Sequence, residues 1–162
     1  MFTIECTRAL LDRLNRWPSS IGAGGPPTTR LGDWCANVVP WRGGEVVLLV
    51  SVRSLLPVMV PVLPVEGLLP AVRTETHRVL LRLGLPTDVI EQELREMNDA
   101  ALTKTTSRQV LGSMSDFAWL ADGHRKGSDL TEVAMKLAEA PCGPIGMRSP
   151  REVARELLEA RE

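Results

Sequence analysis

Residues Asp33–Val52, DWCANVVPWRGGEVVLLVSV, decide the reading of the fold. Asp33 to Trp41 is rich in β-formers, Arg42-Gly43-Gly44 is a turn signal, and Val46 to Val52 is almost continuously apolar and β-branched. This pattern predicts an antiparallel hairpin whose second strand is buried. A third strand is expected at Leu56 to Val62. There Pro57 and Pro61 cannot donate ladder hydrogen bonds, so they suit a sheet edge or a bulge.

Working outward toward the N-terminus, Phe2 to Cys6 alternates apolar and polar side chains as a strand does. Thr7 can cap a short helix carrying Leu10, Leu11 and Leu14. Residues 17–30 hold Gly24, Gly25, Pro26 and Pro27 among serines and threonines, which predicts a mobile loop. Beyond Pro64 the period changes to that of a helix, with Leu69, Val72, Thr76, Val79, Leu80 and Leu83 on one face and Gly84 and Pro86 ending it. A second helix starts at Thr87 or Asp88, an amphipathic stretch spans Asp129 to Glu139, and Ser149-Pro150-Arg151-Glu152 is a strong helix start. The expected fold is α+β: one domain over residues 1–162, with a small antiparallel sheet of about three to four strands covered by about five helices.

Composition narrows the function classes. Of 162 residues 44% are apolar and 24% charged, and 19 basic side chains face 20 acidic ones, which excludes a disordered, collagenous or polycationic protein. The longest apolar stretch, Val46 to Val65, is broken by Arg53 and three prolines, so no membrane partner is expected. Glu5 and Arg8 interrupt the N-terminus before any run of signal-peptide length, which places the chain in the cytoplasm by default. Cys6, Cys35 and Cys142 form no CxxC pair, and His77 and His124 lack metal-ligand spacing, so no metal site is expected and no cofactor is indicated.

The segment richest in chemistry is Lys104-Thr105-Thr106-Ser107-Arg108 and the helix that Ser107 can cap, running from Arg108 to about Ala121. With Arg108 at zero and 100° per residue, Val110, Leu111, Met114, Phe117, Ala118 and Ala121 fall between about 180° and 300°, a core-facing stripe. The opposite arc holds Arg108, Gly112, Ser113, Asp116 and Trp119. Gly112 inside a helix costs about 1 kcal/mol against alanine unless a backbone or ligand approaches closely. Trp119 sets a large ring on the polar side, so this face calls for a cover: the 17–30 loop, a sheet edge, a partner or a ligand.

Two functional readings follow. In the first, the chain is a non-enzymatic intracellular binding module that contacts a protein or a nucleic acid. Its binding residues are Lys104, Thr105, Ser107, Arg108, Gly112 and Trp119, joined by Trp34 and Asn37 from the hairpin. The alternative is an enzyme acting on a phosphate-bearing substrate. Lys104 and Arg108 would hold the anion at the helix N-terminus, with Ser113 hydrogen-bonding it and Asp116 as general base or metal ligand. The enzyme requires these groups to converge in a recess, whereas a binding module can display them on an open face.

The strings Cys6-Thr7-Arg8-Ala9-Leu10-Leu11, Gly32-Asp33-Trp34-Cys35-Ala36-Asn37, Lys104-Thr105-Thr106-Ser107-Arg108 and Val110-Leu111-Gly112-Ser113-Met114-Ser115-Asp116-Phe117 together resemble an uncharacterised bacterial family, as does Pro141-Cys142-Gly143-Pro144-Ile145. That family is a domain of unknown function, sometimes found in plasmid or mobile-element settings. The resemblance spans most of the chain and implies bacterial origin, but it brings no reaction or cofactor.

Overall fold

The computed structural model describes residues 1–16, 25–105, 107–124 and 128–160. Its strands are β1 (Phe2–Cys6), β2 (Trp34–Trp41), β3 (Gly44–Ser51), β4 (Pro57–Pro61) and β5 (Ala100–Lys104). Strands β2 and β3 form the predicted hairpin, in register from Trp41 opposite Gly44 to Trp34 opposite Ser51. The two residues that join them, Arg42 and Gly43, both have positive φ, +48° and +77°, as the twist of a two-residue hairpin turn requires. Ser51 N–H donates to the Leu56 carbonyl at 3.0 Å, which sets the alternation along β4. Leu49–Val58 and Val47–Val60 continue that bonded set, so positions 57, 59 and 61 turn outward. Pro57 and Pro61 thus sit where a missing N–H breaks no ladder bond.

The sheet is larger than the expected three to four antiparallel strands. It has five, in the order β4-β3-β2-β1-β5, and it is mixed: β1 runs parallel to both β2 and β5. Two physical reasons account for the difference. The chain leaves β1 through helix α1 (Arg8–Leu14) before entering β2, and a helical crossover delivers a parallel strand. Strand β5 opens with Ala100 and Ala101, which have weak β preference, so it is a strand by virtue of its neighbour. Phe2 N–H bonds the Asp99 carbonyl at 3.2 Å and Thr105 N–H bonds the Cys6 carbonyl at 2.9 Å, bracketing the pairing.

The helices number six among the described residues, against about five expected: α1, α2 (Val65–Arg82), α3 (Thr87–Glu96), α4 (Arg108–Asp122), α5 (Leu130–Leu137) and α6 (Pro150–Glu159), with a 3-10 turn at Gly143–Ile145. One core takes Phe2, Ile4 and Trp34 from the sheet with Leu10, Leu68, Val72, Val79, Ile90 and Leu158 from α1, α2, α3 and α6. The other face carries Cys35, Val39, Leu48 and Val50 against Val110, Met114 and Phe117 of α4. Helix α5 packs on β4 and touches both α2 and α4, giving Ala134 to the first core and Val133 to the second. It therefore closes the β4 end of the sheet.

Residues 17–24 of the loop expected at 17–30 lie outside the described residues. The part that follows is held firmly. The Glu93 carboxylate, 2% exposed, accepts from Arg30 N–H at 2.9 Å and Leu31 N–H at 3.0 Å. Gly32 takes φ +79°, and a Cβ there would lie 2.9 Å from Arg53 Cγ, so the turn into β2 requires glycine. Burial pushes the Glu93 carboxyl above the ordinary glutamate range, outweighing the two N–H donors and Arg30, which pull it down.

The folded state consequently keeps the Glu93 proton to higher pH than the unfolded chain does. Its contribution to stability falls as pH rises from the ordinary glutamate range through the raised value, and is level above that. Urea unfolding of Glu93→Gln should lack this slope. Glu93→Ala, which orphans two buried N–H groups, should cost about 1–3 kcal/mol at neutral pH.

Candidate functional site

Helix α4 begins as its sequence dictates. Ser107 Oγ accepts from Val110 N–H at 3.3 Å, and Val110, Met114, Phe117 and Ala121 turn inward at helical spacing. Its outer flank is open. Trp119 is 79% exposed, and a Cβ built on Gly112 would meet nothing within 4 Å. Close internal packing therefore gives no reason for this glycine among the described residues. Arg108 and Asp116 are exposed beside it, each without a hydrogen bond or ion pair among the described residues.

Ser113 lies at the margin of the inward stripe and is 8% exposed. With Asp116 it lines a recess of about 90 Å³, walled opposite by the turn from Ala140 to Pro144. Cys142 lies in that wall. Its thiol donates to the Ala140 carbonyl at 3.4 Å and is pushed up by burial and then by the charge of Asp116. A thiol so shifted is a poor nucleophile at neutral pH.

The other predicted binding residues gather where β1 and β5 end. Lys104 is exposed at the last position of β5. Thr105, half-buried, extends the pairing to Cys6, and its Oγ1 lies 3.9 Å from Cys35 Sγ. Cys35 Sγ in turn donates to Glu5 Oε2 at 3.3 Å. Asn37 Oδ1 accepts from Thr7 Oγ1 at 2.6 Å, and the same hydroxyl caps α1 by accepting from Leu10 N–H at 3.3 Å. Burial, reinforced by Glu5, pushes the Cys35 thiol up to about 12, and burial does the same to Cys6. Sequence reasoning passed over Glu5 and Thr7 in this cluster. The alternation in β1, which sets Glu5 on the face opposite Phe2 and Ile4, was the signal that could have found Glu5.

Trp34, expected beside Asn37 on a contact surface, is fully buried. Alternate positions of β2 face opposite sides, so Trp34 and Ala36 enter the first core while Cys35 faces α4. The predicted residues thus divide four ways: Arg108, Gly112 and Trp119 on the outer flank of α4, with Asp116 exposed between that flank and the recess; Ser113 at the recess; Lys104, Thr105, Ser107 and Asn37 near the strand ends; Trp34 in the core. Among the described residues no group of three or more His, Cys, Asp or Glu side chains could hold a metal ion.

A family model described as Domain of unknown function (DUF6933) matches residues 3–153. No curated protein and no solved structure matches the chain.

Two substitutions separate core from display. Trp34→Ala should cost about 3–5 kcal/mol in urea unfolding, whereas Trp119→Ala should stay within about 0.5 kcal/mol. Alkylation of the native protein, followed by mass spectrometry, should leave Cys6 and Cys35 unmodified at neutral pH, and Asp116→Asn should speed modification of Cys142 by removing the charge that disfavours its thiolate.

Proposed function

The chain belongs to the DUF6933 family, a domain of unknown function, and we propose that it is a non-enzymatic binding module of the bacterial cytoplasm that engages a partner protein through the outer flank of α4. The observation that carries this reading is the 79% exposure of Trp119 on the flank where Gly112 opens onto empty space. Tryptophan and arginine are where interface energy concentrates. A ring of this kind buries about 150–250 Å² when covered. Gly112, between Arg108 and Asp116, lets a partner's backbone come close to the helix.

A protein fits better than a nucleic acid. Asp116 stands close to Arg108 on the helix, and 19 basic side chains do not exceed 20 acidic ones, so the chain carries no net positive charge to favour phosphates. The phosphate-substrate alternative has weaker support. The recess holding Ser113 and Asp116 measures about 90 Å³ and is not lined by Lys104 or Arg108, while ligand pockets span about 300–1,000 Å³. Among the described residues no helix is long and apolar enough to cross a membrane.

A photoreactive amino acid placed at position 119 and, as control, at the exposed position of Leu81 tests the proposal in cells that naturally make the protein. A discrete protein adduct is expected at 119 and not at 81, weakened at least about tenfold by Arg108→Glu. No adduct, adducts alike at both positions, or adducts to nucleic acid would overturn it.

A further inference from the structure

The recess of about 90 Å³ beside α4 has a single charged residue in its lining, Asp116, and that carboxylate has no counter-charge among the described residues. Two larger hollows differ in this respect. One of about 560 Å³ contains Arg16 paired with Glu66, and one of about 370 Å³ is lined by both Arg82 and Asp129, with Arg78 paired to Glu75.

Ser113 is a second group in want of a partner. It is 8% exposed, so it has lost most of its contact with bulk water, yet its hydroxyl makes no hydrogen bond among the described residues. A buried hydroxyl left unbonded costs free energy that an arriving polar group recovers. The third polar group is Cys142, in the facing wall. Its thiol hydrogen is spent on the Ala140 carbonyl at 3.4 Å, so the sulfur meets an incoming group as a weak acceptor. Burial and then Asp116 raise this thiol, which shows that the carboxylate charge reaches across the recess.

We propose that the recess is a lysine subsite of the α4 interface: the partner protein inserts a lysine whose ammonium meets the Asp116 carboxylate and the Ser113 hydroxyl. This rests on the reading of α4 as the partner-binding helix. A cation is the complementary occupant, because the lining charge is negative. An ammonium carries three donors and no acceptor. The recess offers it a carboxylate and a hydroxyl from α4 and a sulfur from the opposite wall, whereas the guanidinium fork of arginine is matched to two oxygens in one plane. Leu120, Pro141 and Pro144 give apolar walls to the lysine methylenes. The recess is too small for a whole ligand, for which pockets span about 300–1,000 Å³, and it admits the tip of one side chain. Asp116 stands between the recess and the flank that displays Trp119, so a segment lying over Gly112 can deliver the lysine.

The probe is acetyl-lysine methylamide with its side-chain amine free, titrated to tens of millimolar into the full chain while backbone amide shifts are followed by NMR. Saturable shifts are expected at Ser113, Asp116 and Cys142, with a Kd on the order of millimolar for so small a contact. The norleucine analogue, which lacks the ammonium, should give none, and the arginine analogue should bind at least about threefold more weakly. Asp116→Asn should weaken lysine binding at least about tenfold, and Ser113→Ala about threefold. Both variants keep the helix, since Asp116 is exposed and alanine is the better helix former at 113. The titration uses no partner, so it can fail while the crosslink at position 119 succeeds, and the reverse. Shifts that do not saturate, binding of the norleucine analogue, arginine binding as tight as lysine, or an affinity unchanged in either variant would overturn the proposal.

Discussion

Strand β1 must find backbone partners on both sides, and much of the architecture follows from that demand. Its Phe2, Ile4 and Cys6 side chains are buried in the first core, so neither edge could be left to water. The hairpin strand β2 satisfies one edge. The other recruits Ala100–Lys104, a segment whose own composition does not ask to be a strand. Placing β5 there forces the connection from β4 to traverse the whole first face. That connection is α2 and α3, whose Leu68, Val72, Val79 and Ile90 build the core under which β1 is buried. It also sets α4 on the opposite face, because the chain leaves β5 at Lys104 and turns through the Ser107 cap.

What could be read from the sequence was whatever a local pattern encodes. Pro57 and Pro61 announced an edge strand because a missing N–H is tolerated only where no neighbour needs it, and they occupy outward positions. Ser107, Ser149 and Thr7 announced helix starts, and each hydroxyl accepts the N–H three residues on. A second helix was expected from Thr87 or Asp88, and α3 begins at Thr87 behind Pro86, with no side-chain cap. The direction of β1 was not legible. Parallel or antiparallel pairing is set by how the chain returns, and that depends on packing α1 rather than on any residue in the strand.

The candidate site was legible in part for the same reason. Helical geometry placed Arg108, Gly112 and Trp119 on one flank, and no tertiary contact among the described residues overrides it. Ser113, at the margin of the arc, was captured by the core side, because a small hydroxyl one step from Met114 is easily enclosed by the turn near Cys142. Trp34 could not be assigned from its string. Only the parity of β2 relative to the two faces decides whether an aromatic ring in that position is inside or out, and parity is a property of register.

The proposed binding role rests on how the polar groups are used. The hydroxyls of Thr7 and Ser107 are committed to caps, Glu93 holds the turn before β2, Glu75 is bonded to Thr131, and Glu5 is bonded to Cys35. All three thiols are raised by burial, away from the reactive range. Arg108, Asp116, Trp119 and the outward edge of β5 are left without internal partners among the described residues. These groups lie on separate surfaces, and acid–base or nucleophilic catalysis requires them within a few ångströms of one reacting atom. Recognition has no such requirement. On the proposed reading, the flank of α4 meets its partner while the polar interior holds the helix in place.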